Sequence, residues 1–121
     1  MKMLNLNSIS KTYRKNGATV QALAPINLNV DAGELVAVQG PSGSGKTTLL
    51  LIAGGLLHPD AGSVFISDMD VYALNPDSRS EFRSHWIGFV FQQYHLIPYL
   101  NVLENILAPT LAQSANKKDR A

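Results

Sequence analysis

An α/β fold built around a phosphate-binding loop is the class this sequence predicts, and three observations carry the prediction. Gly40-Pro41-Ser42-Gly43-Ser44-Gly45-Lys46-Thr47 fits the spacing of Gly, four residues, then Gly-Lys-Ser/Thr. The apolar run Leu35-Val36-Ala37-Val38 precedes it, as a buried strand would, and Thr47 to Ala53 follows as a helix that Gly54-Gly55 can stop. Two segments of alternating polarity, within Met3–Tyr13 and Val20–Val30, lie ahead of the loop and read as an antiparallel pair.

The chemistry of a triphosphate explains the residue types in the loop. Gly40, Gly43 and Gly45 let the backbone adopt unusual angles and approach a ligand closely. Successive N–H groups then converge on one anion-binding hollow, and the next helix adds the positive end of its dipole. Lys46 would reach the β- and γ-phosphates, and the Thr47 hydroxyl would ligate Mg²⁺, a hard ion that takes oxygen donors. Each hydrogen bond to a charged group contributes about 1.5–3 kcal/mol, so several make a firm site.

Bulk properties narrow the rest. The 121 residues suit one domain of common size, and 45% hydrophobic content supplies a core. A net charge of +1 gives no argument for nucleic acid as a partner, and the absence of cysteine excludes a disulfide scaffold or thiolate metal site. The first residues lack a signal peptide's apolar core, and no window approaches 18 apolar residues.

Taken in order, Leu4, Leu6 and Ile9 alternate with Asn5, Asn7 and Lys11, which predicts an edge strand ending near Tyr13. Arg14-Lys15-Asn16-Gly17 is a polar turn. Ile26, Leu28 and Val30 alternate with Asn27, Asn29 and Asp31 in the second strand, where Pro25 suggests an edge or irregular position. His58-Pro59-Asp60-Ala61-Gly62 is a turn, and Ser63–Ser67 a short strand. Asn75-Pro76-Asp77 opens a helix to about His85. Arg79 and Arg83 lie on one face of it, with Glu81 nearby, and read as a solvated face. Ile87–Phe91 reads as a buried strand. Asn101-Val102-Leu103-Glu104 resembles a capping box, and its helix should be disturbed near Pro109. Ser114–Ala121 reads as a fraying polar tail in which Lys117, Lys118 and Arg120 are solvated.

These landmarks combine with Gly88-Phe89-Val90-Phe91-Gln92-Gln93 and with Leu96-Ile97-Pro98 through Glu104-Asn105-Ile106. From about Leu4 to Leu111 the chain resembles the nucleotide-binding subunit of ATP-binding cassette transporters, and is most similar to the lipoprotein-release and macrolide-export branch. The resemblance implies a P-loop NTPase, a RecA-like core with an N-terminal antiparallel β subdomain, incomplete at the C-terminus. Its parts would be residues 1–33 (antiparallel β), 34–91 (core portion), 92–113 (glutamine loop and start of a helical subdomain) and 114–121 (tail). It implies that Tyr13 stacks on adenine, where the residue alone would read as filling the edge of the core. Ser42, Gly43, Ser44, Gly45, Lys46, Thr47 and Thr48 take the phosphate and metal roles. Gln92 matches the glutamine that touches Mg²⁺ and the attacking water, Gln93 beside it being the alternative. Region 92–106, with Tyr94, His95 and Tyr99, would face a membrane permease subunit or a fused transmembrane domain. The complete domain would work as a homodimer on the cytoplasmic face of the inner membrane.

The chain also departs from that pattern. The family's Leu-Ser-Gly-Gly-Gln signature, its acidic pair after an apolar strand and its switch histidine do not occur in residues 1–121. Phosphoryl transfer depends on positioning and charge stabilisation. The expectation is therefore a transporter ATPase represented by its N-terminal half, the isolated chain being inactive and an apolar sheet edge being left open. The rival readings are a truncated module that binds nucleotide or permease without hydrolysis, and a small P-loop kinase, against which the Gln92 segment argues.

Overall fold

Residues Lys2–Lys15 (β1) and Ala18–Asp31 (β2) form the antiparallel hairpin that alternation predicts. A computed structural model describes residues 1–93 and 95–118, without the side chains of 111–118. The hairpin turns at Asn16 and Gly17, with φ of 52° and 76°. Two consecutive left-handed residues give the turn whose twist matches that of the strands, and Asn-Gly is the favoured pair for it.

Ala61–Ile66 (β3) and Met69–Asp70 (β4) complete a four-stranded sheet in the order β2-β1-β3-β4. β1 is therefore an inner strand and not the edge the sequence predicts, because β3 pairs with the side that β2 leaves open. Pro25 does lie on an outer strand, β2, where a missing N–H is tolerated.

The spacing of Leu6 and Ile9 breaks the strand period by one residue, and a bulge explains it. Ser8 takes φ 47°, and the register with both neighbours shifts there. One extra residue swings Ile9 onto the inner face, so Leu6 and Ile9 are both fully buried. The Asn27 carboxamide oxygen accepts the Ser8 N–H at 2.7 Å and the Ser8 hydroxyl at 3.3 Å, satisfying the bulge. Leu6, Ile9, Leu23, Val64, Ile66 and Val71 form the core with Leu49 and Ile52.

Those last two come from the helix after the phosphate loop, Lys46–Ala53 (α1), which stops at Gly54-Gly55 as expected. Its end is fastened by a residue that local sequence does not advertise. The Tyr72 hydroxyl lies 2.6 Å from the carbonyl oxygens of both Ile52 and Leu57, so its one proton is shared between two acceptors. Burial pushes the Tyr72 phenol up to about 12, against the smaller opposing effects of the Leu57 bond and of Arg79 and Arg83. It therefore remains a donor throughout the neutral range.

Pro76–Trp86 (α2) begins at Asn75, whose side chain accepts the Ser78 N–H at 2.8 Å. The solvated-face reading of its arginines is corrected. Arg79 lies 5.2 Å from the Tyr72 ring and donates to the Leu74 carbonyl at 2.9 Å, and Arg83 donates to the Gly55 carbonyl at 2.8 Å. Arg83 ties α2 to the end of α1, and Arg79 ties it to the segment 71–74 just before α2.

Two predicted strands do not form. Leu35–Val38 is irregular backbone and Leu35 is 96% exposed; Ile87–Phe91 is irregular likewise and Val90 is 95% exposed. A strand exists by exchanging backbone hydrogen bonds with a neighbour, and among the described residues neither segment has one.

The chain divides into two units, residues 1–87 and 88–121. In the second, Val102–Lys118 (α3) opens on the expected capping box. Asn101 Oδ1 accepts the Glu104 N–H at 2.8 Å, and Glu104 Oε2 accepts the Asn101 N–H at 2.9 Å. The expected disturbance at Pro109 is absent, since one helix runs through it, and residues 114–118 continue that helix where a fraying tail was expected. Tyr94 and the end of the tail, Arg120 included, lie outside the described residues. Asn105 fixes the segment before α3, accepting the Ile97 N–H at 2.8 Å and donating to the Leu100 and Asn101 carbonyls at 3.1 and 2.9 Å.

Candidate functional site

The phosphate loop is an exposed turn set against the hairpin. Gly45 takes φ 96° directly before α1. A Cβ there would stand 2.5 Å from the Ala22 carbonyl oxygen and 3.3 Å from Leu23 Cδ1, so the missing side chain lets the loop lie on the β2 backbone. Gly43, at φ 81°, faces open space. A Cβ at Gly40 would meet Ser44 Oγ at 2.7 Å. The Ser44 N–H closes the turn onto the Pro41 carbonyl at 3.2 Å.

Lys46 folds back over this turn. Its Nζ donates to the Pro41 carbonyl at 2.8 Å and to the Gly40 carbonyl. Both partners are neutral, and phosphate oxygens are stronger acceptors for an ammonium. Thr47 is exposed and Thr48 half-buried in the first turn of α1, while Leu49 anchors that turn in the core. A cation, exposed backbone and a hydroxyl at a helix N-terminus suit a phosphorylated ligand with a hard metal ion.

Tyr13 belongs to the same end of the hairpin. It pairs with Val20, and Thr12 pairs with Gln21, the neighbour of the Ala22 on which Gly45 rests. Tyr13 is 45% exposed, and Lys11 Nζ stands 5.5 Å from the ring centroid. The loop glycines, Lys46, Thr47, Thr48 and Tyr13 all lie in the first unit. Gln92 and Gln93 are exposed residues of the second, where His95 (φ 50°) packs edge-on against Phe91 at 4.8 Å.

One residue beside Tyr13 escaped sequence reasoning. Asp60 reads as a turn residue, yet its Oδ2 accepts the Thr12 N–H at 2.6 Å and the Thr12 hydroxyl at 2.9 Å. Its Oδ1 lies 3.3 Å from Lys11 Nζ. The Thr12 N–H and then its hydroxyl hold the Asp60 carboxyl below the usual aspartate range against an opposing desolvation, with a smaller contribution from Lys11. A group whose folded pKa is depressed stabilises above its unfolded pKa, and that stabilisation is lost as pH falls through the folded value. The parent chain should therefore lose stability relative to Asp60→Asn as pH drops below about 4. Parallel urea titrations from pH 6 to pH 2.5 check this, and an unchanged gap between the two would refute it. A carboxylate anchoring a strand 48 positions away leaves no periodic signal that a sequence reading could find.

Comparison with known proteins matches residues 23–121 to the family described as ABC transporter. The chain is 45% identical over 117 residues to the lipoprotein-releasing system ATP-binding protein LolD 1 of Rhodopirellula baltica, covering 97% of this chain and 51% of that protein. It is 42% identical to the macrolide export ATP-binding/permease protein MacB of the same organism, covering 98% of this chain and 17% of that one. Among solved structures it is similar to the ATP-binding cassette MJ0796 in a dimeric post-hydrolysis state bound to ADP and Pi. There the TM-score is 0.86 and the identity 43%, over 90% of this chain and 47% of the other. MJ0796 comes from Methanocaldococcus jannaschii. The chain thus spans about half the length of LolD 1 and of the MJ0796 cassette.

Proposed function

Since this chain belongs to the ABC transporter family, we propose that it forms the nucleotide-gripping part of a transport ATPase that couples ATP binding and hydrolysis to export or lipoprotein release. The observation that carries the reading is the phosphate loop. Gly45 in a left-handed conformation docks it on β2, and among the described residues Lys46 lies over it with the neutral Gly40 and Pro41 carbonyls as its partners. The similarity to LolD and MacB proteins favours that branch of transport.

Backbone N–H groups of Ser42 to Lys46 would bind the phosphates, with the Lys46 ammonium reaching the outer ones and Tyr13 offering a face to the adenine. The donor chemistry fits Mg²⁺. Thr47 supplies a hydroxyl at the helix start, and phosphates and waters can fill the other positions. Bound there, Mg²⁺ would neutralise charge building on the phosphates. We assign partner contact to region 92–106, where Leu96, Tyr99, Val102, Leu103 and Ile106 are exposed. A permease subunit or fused transmembrane domain would lie against it, a homodimer of the complete domain being the working state at the cytoplasmic face of the inner membrane.

Calorimetric titration of the chain with MgATP tests the reading. Lys46→Ala should weaken binding about ten- to a hundred-fold, as expected for losing charged hydrogen bonds. Equal affinity in the two proteins would sink the assignment. A second reading, binding without turnover by these 121 residues alone, is favoured because they contain neither the family's signature nor its acidic pair. Lys46-dependent phosphate release by the chain would overturn it.

A further inference from the structure

The end of β1 that carries Tyr13 runs past the strand beside it. Pairing with β3 ends at Ser10 opposite Ala61, whereas β1 continues to Lys15 with β2 on its other side. Asp60 occupies the place where β3 stops. Its N–H donates to the Ser10 carbonyl at 2.9 Å, and its carboxylate takes the next outward N–H, that of Thr12, at 2.6 Å. A side chain thus extends the ladder one rung beyond the strand.

Lys11 connects this rung to the Tyr13 ring. Residues two apart on a strand share a face, and Lys11 Nζ stands 5.5 Å from the ring centroid. The same ammonium donates to the His58 carbonyl at 2.9 Å and faces Asp60 Oδ1 at 3.3 Å. The Lys11 side chain is only 15% exposed, so these contacts fix it closely. One ring face of Tyr13 therefore has a held cation, and the remaining exposure of the ring is open to a planar partner.

We propose that Asp60 is a positioning residue for nucleotide recognition, gripping Thr12 and Lys11 so that the Tyr13 ring is preset to receive the base. The inference rests on the phosphate-loop reading above and adds to it a residue that contributes to base-dependent but not phosphate-dependent affinity. A residue that merely stabilised the sheet would not distinguish the two parts of the ligand.

Two probes separate them: MgATP, and magnesium tripolyphosphate, which has no base. Asp60→Ala should weaken MgATP about five-fold, at the low end of the roughly five- to 150-fold that losing a base stack costs, and leave tripolyphosphate within about two-fold. In a Tyr13→Ala background the same substitution should change neither. Asp60→Asn, which keeps a carbonyl acceptor for Thr12, should lose less. If Asp60→Ala does not fold by circular dichroism, Lys11→Met decides; it keeps the apolar stem and should show the same selective loss. Equal weakening of both probes, or a loss that persists without Tyr13, overturns the proposal. If Tyr13→Ala binds MgATP as tightly as the parent, the proposal falls, while Lys46-dependent tripolyphosphate binding would leave the loop assignment standing. If neither probe binds the parent chain, the loop assignment falls and the proposal with it.

Discussion

Gly62→Ala is expected to destabilise the first unit by about 3 kcal/mol or more, combining left-handed strain with a steric overlap. Gly62 sits at φ 88°, and a Cβ there would lie 2.4 Å from the Asn7 carbonyl oxygen and 2.5 Å from that of Ser8. Both are backbone atoms of the β1 bulge, and neither can rotate away. The bulge cannot relax cheaply either, since the Asn27 side chain holds the Ser8 N–H and its extra residue sets Ile9 into the core. Gly33→Ala is the control. Its φ is 79° but nothing lies within 4 Å of the added carbon, so it should cost only the conformational strain, about 1–2 kcal/mol. For a unit of this size each kcal/mol lowers Tm by about 4–8 °C, so thermal melts should separate the two variants by several degrees. Equal shifts would mean that the bulge yields and the close approach of Gly62 is not a constraint.

The contrast between these glycines shows where sequence reading works. Gly45 was legible because its phosphate motif has fixed spacing, and the hairpin was legible because a strand writes its period into Leu4, Leu6, Leu28 and Val30. The Asn75 cap and the Asn101–Glu104 box are local devices, with partners three residues away. What escaped depends on segments distant along the chain. Asp60 bonds a residue 48 positions earlier and Arg83 one 28 positions earlier, and no local pattern marks either. The missing strands fail for the opposite reason. Leu35–Val38 has the composition of a strand, but composition states only that a segment could pair, while the ladder needs a neighbour. Fold class was nonetheless readable, as the TM-score of 0.86 to an ATP-binding cassette shows.

Gly45→Ala should weaken MgATP binding about tenfold or more, because moving the loop by a few tenths of an ångström misplaces several donors together. The three loop glycines differ in what a methyl group would meet, and this ranks them. At Gly45 the clash is with the Ala22 carbonyl oxygen at 2.5 Å, backbone of a paired strand, and φ is 96° as well. At Gly40 the contact is the Ser44 hydroxyl, which can turn aside, so Gly40→Ala should cost less. At Gly43 space is open and only the φ of 81° penalises alanine. Gly45 also precedes the first residue of α1, so its displacement carries Lys46 and Thr47 with it. Titration with MgATP, alongside a melt to confirm that each variant is folded, measures the ranking. Should Gly45→Ala fold and bind like the parent, the contact between loop and β2 does not position the phosphate donors. If all three variants lose affinity equally, backbone freedom within the loop, and not its seat on the hairpin, governs binding.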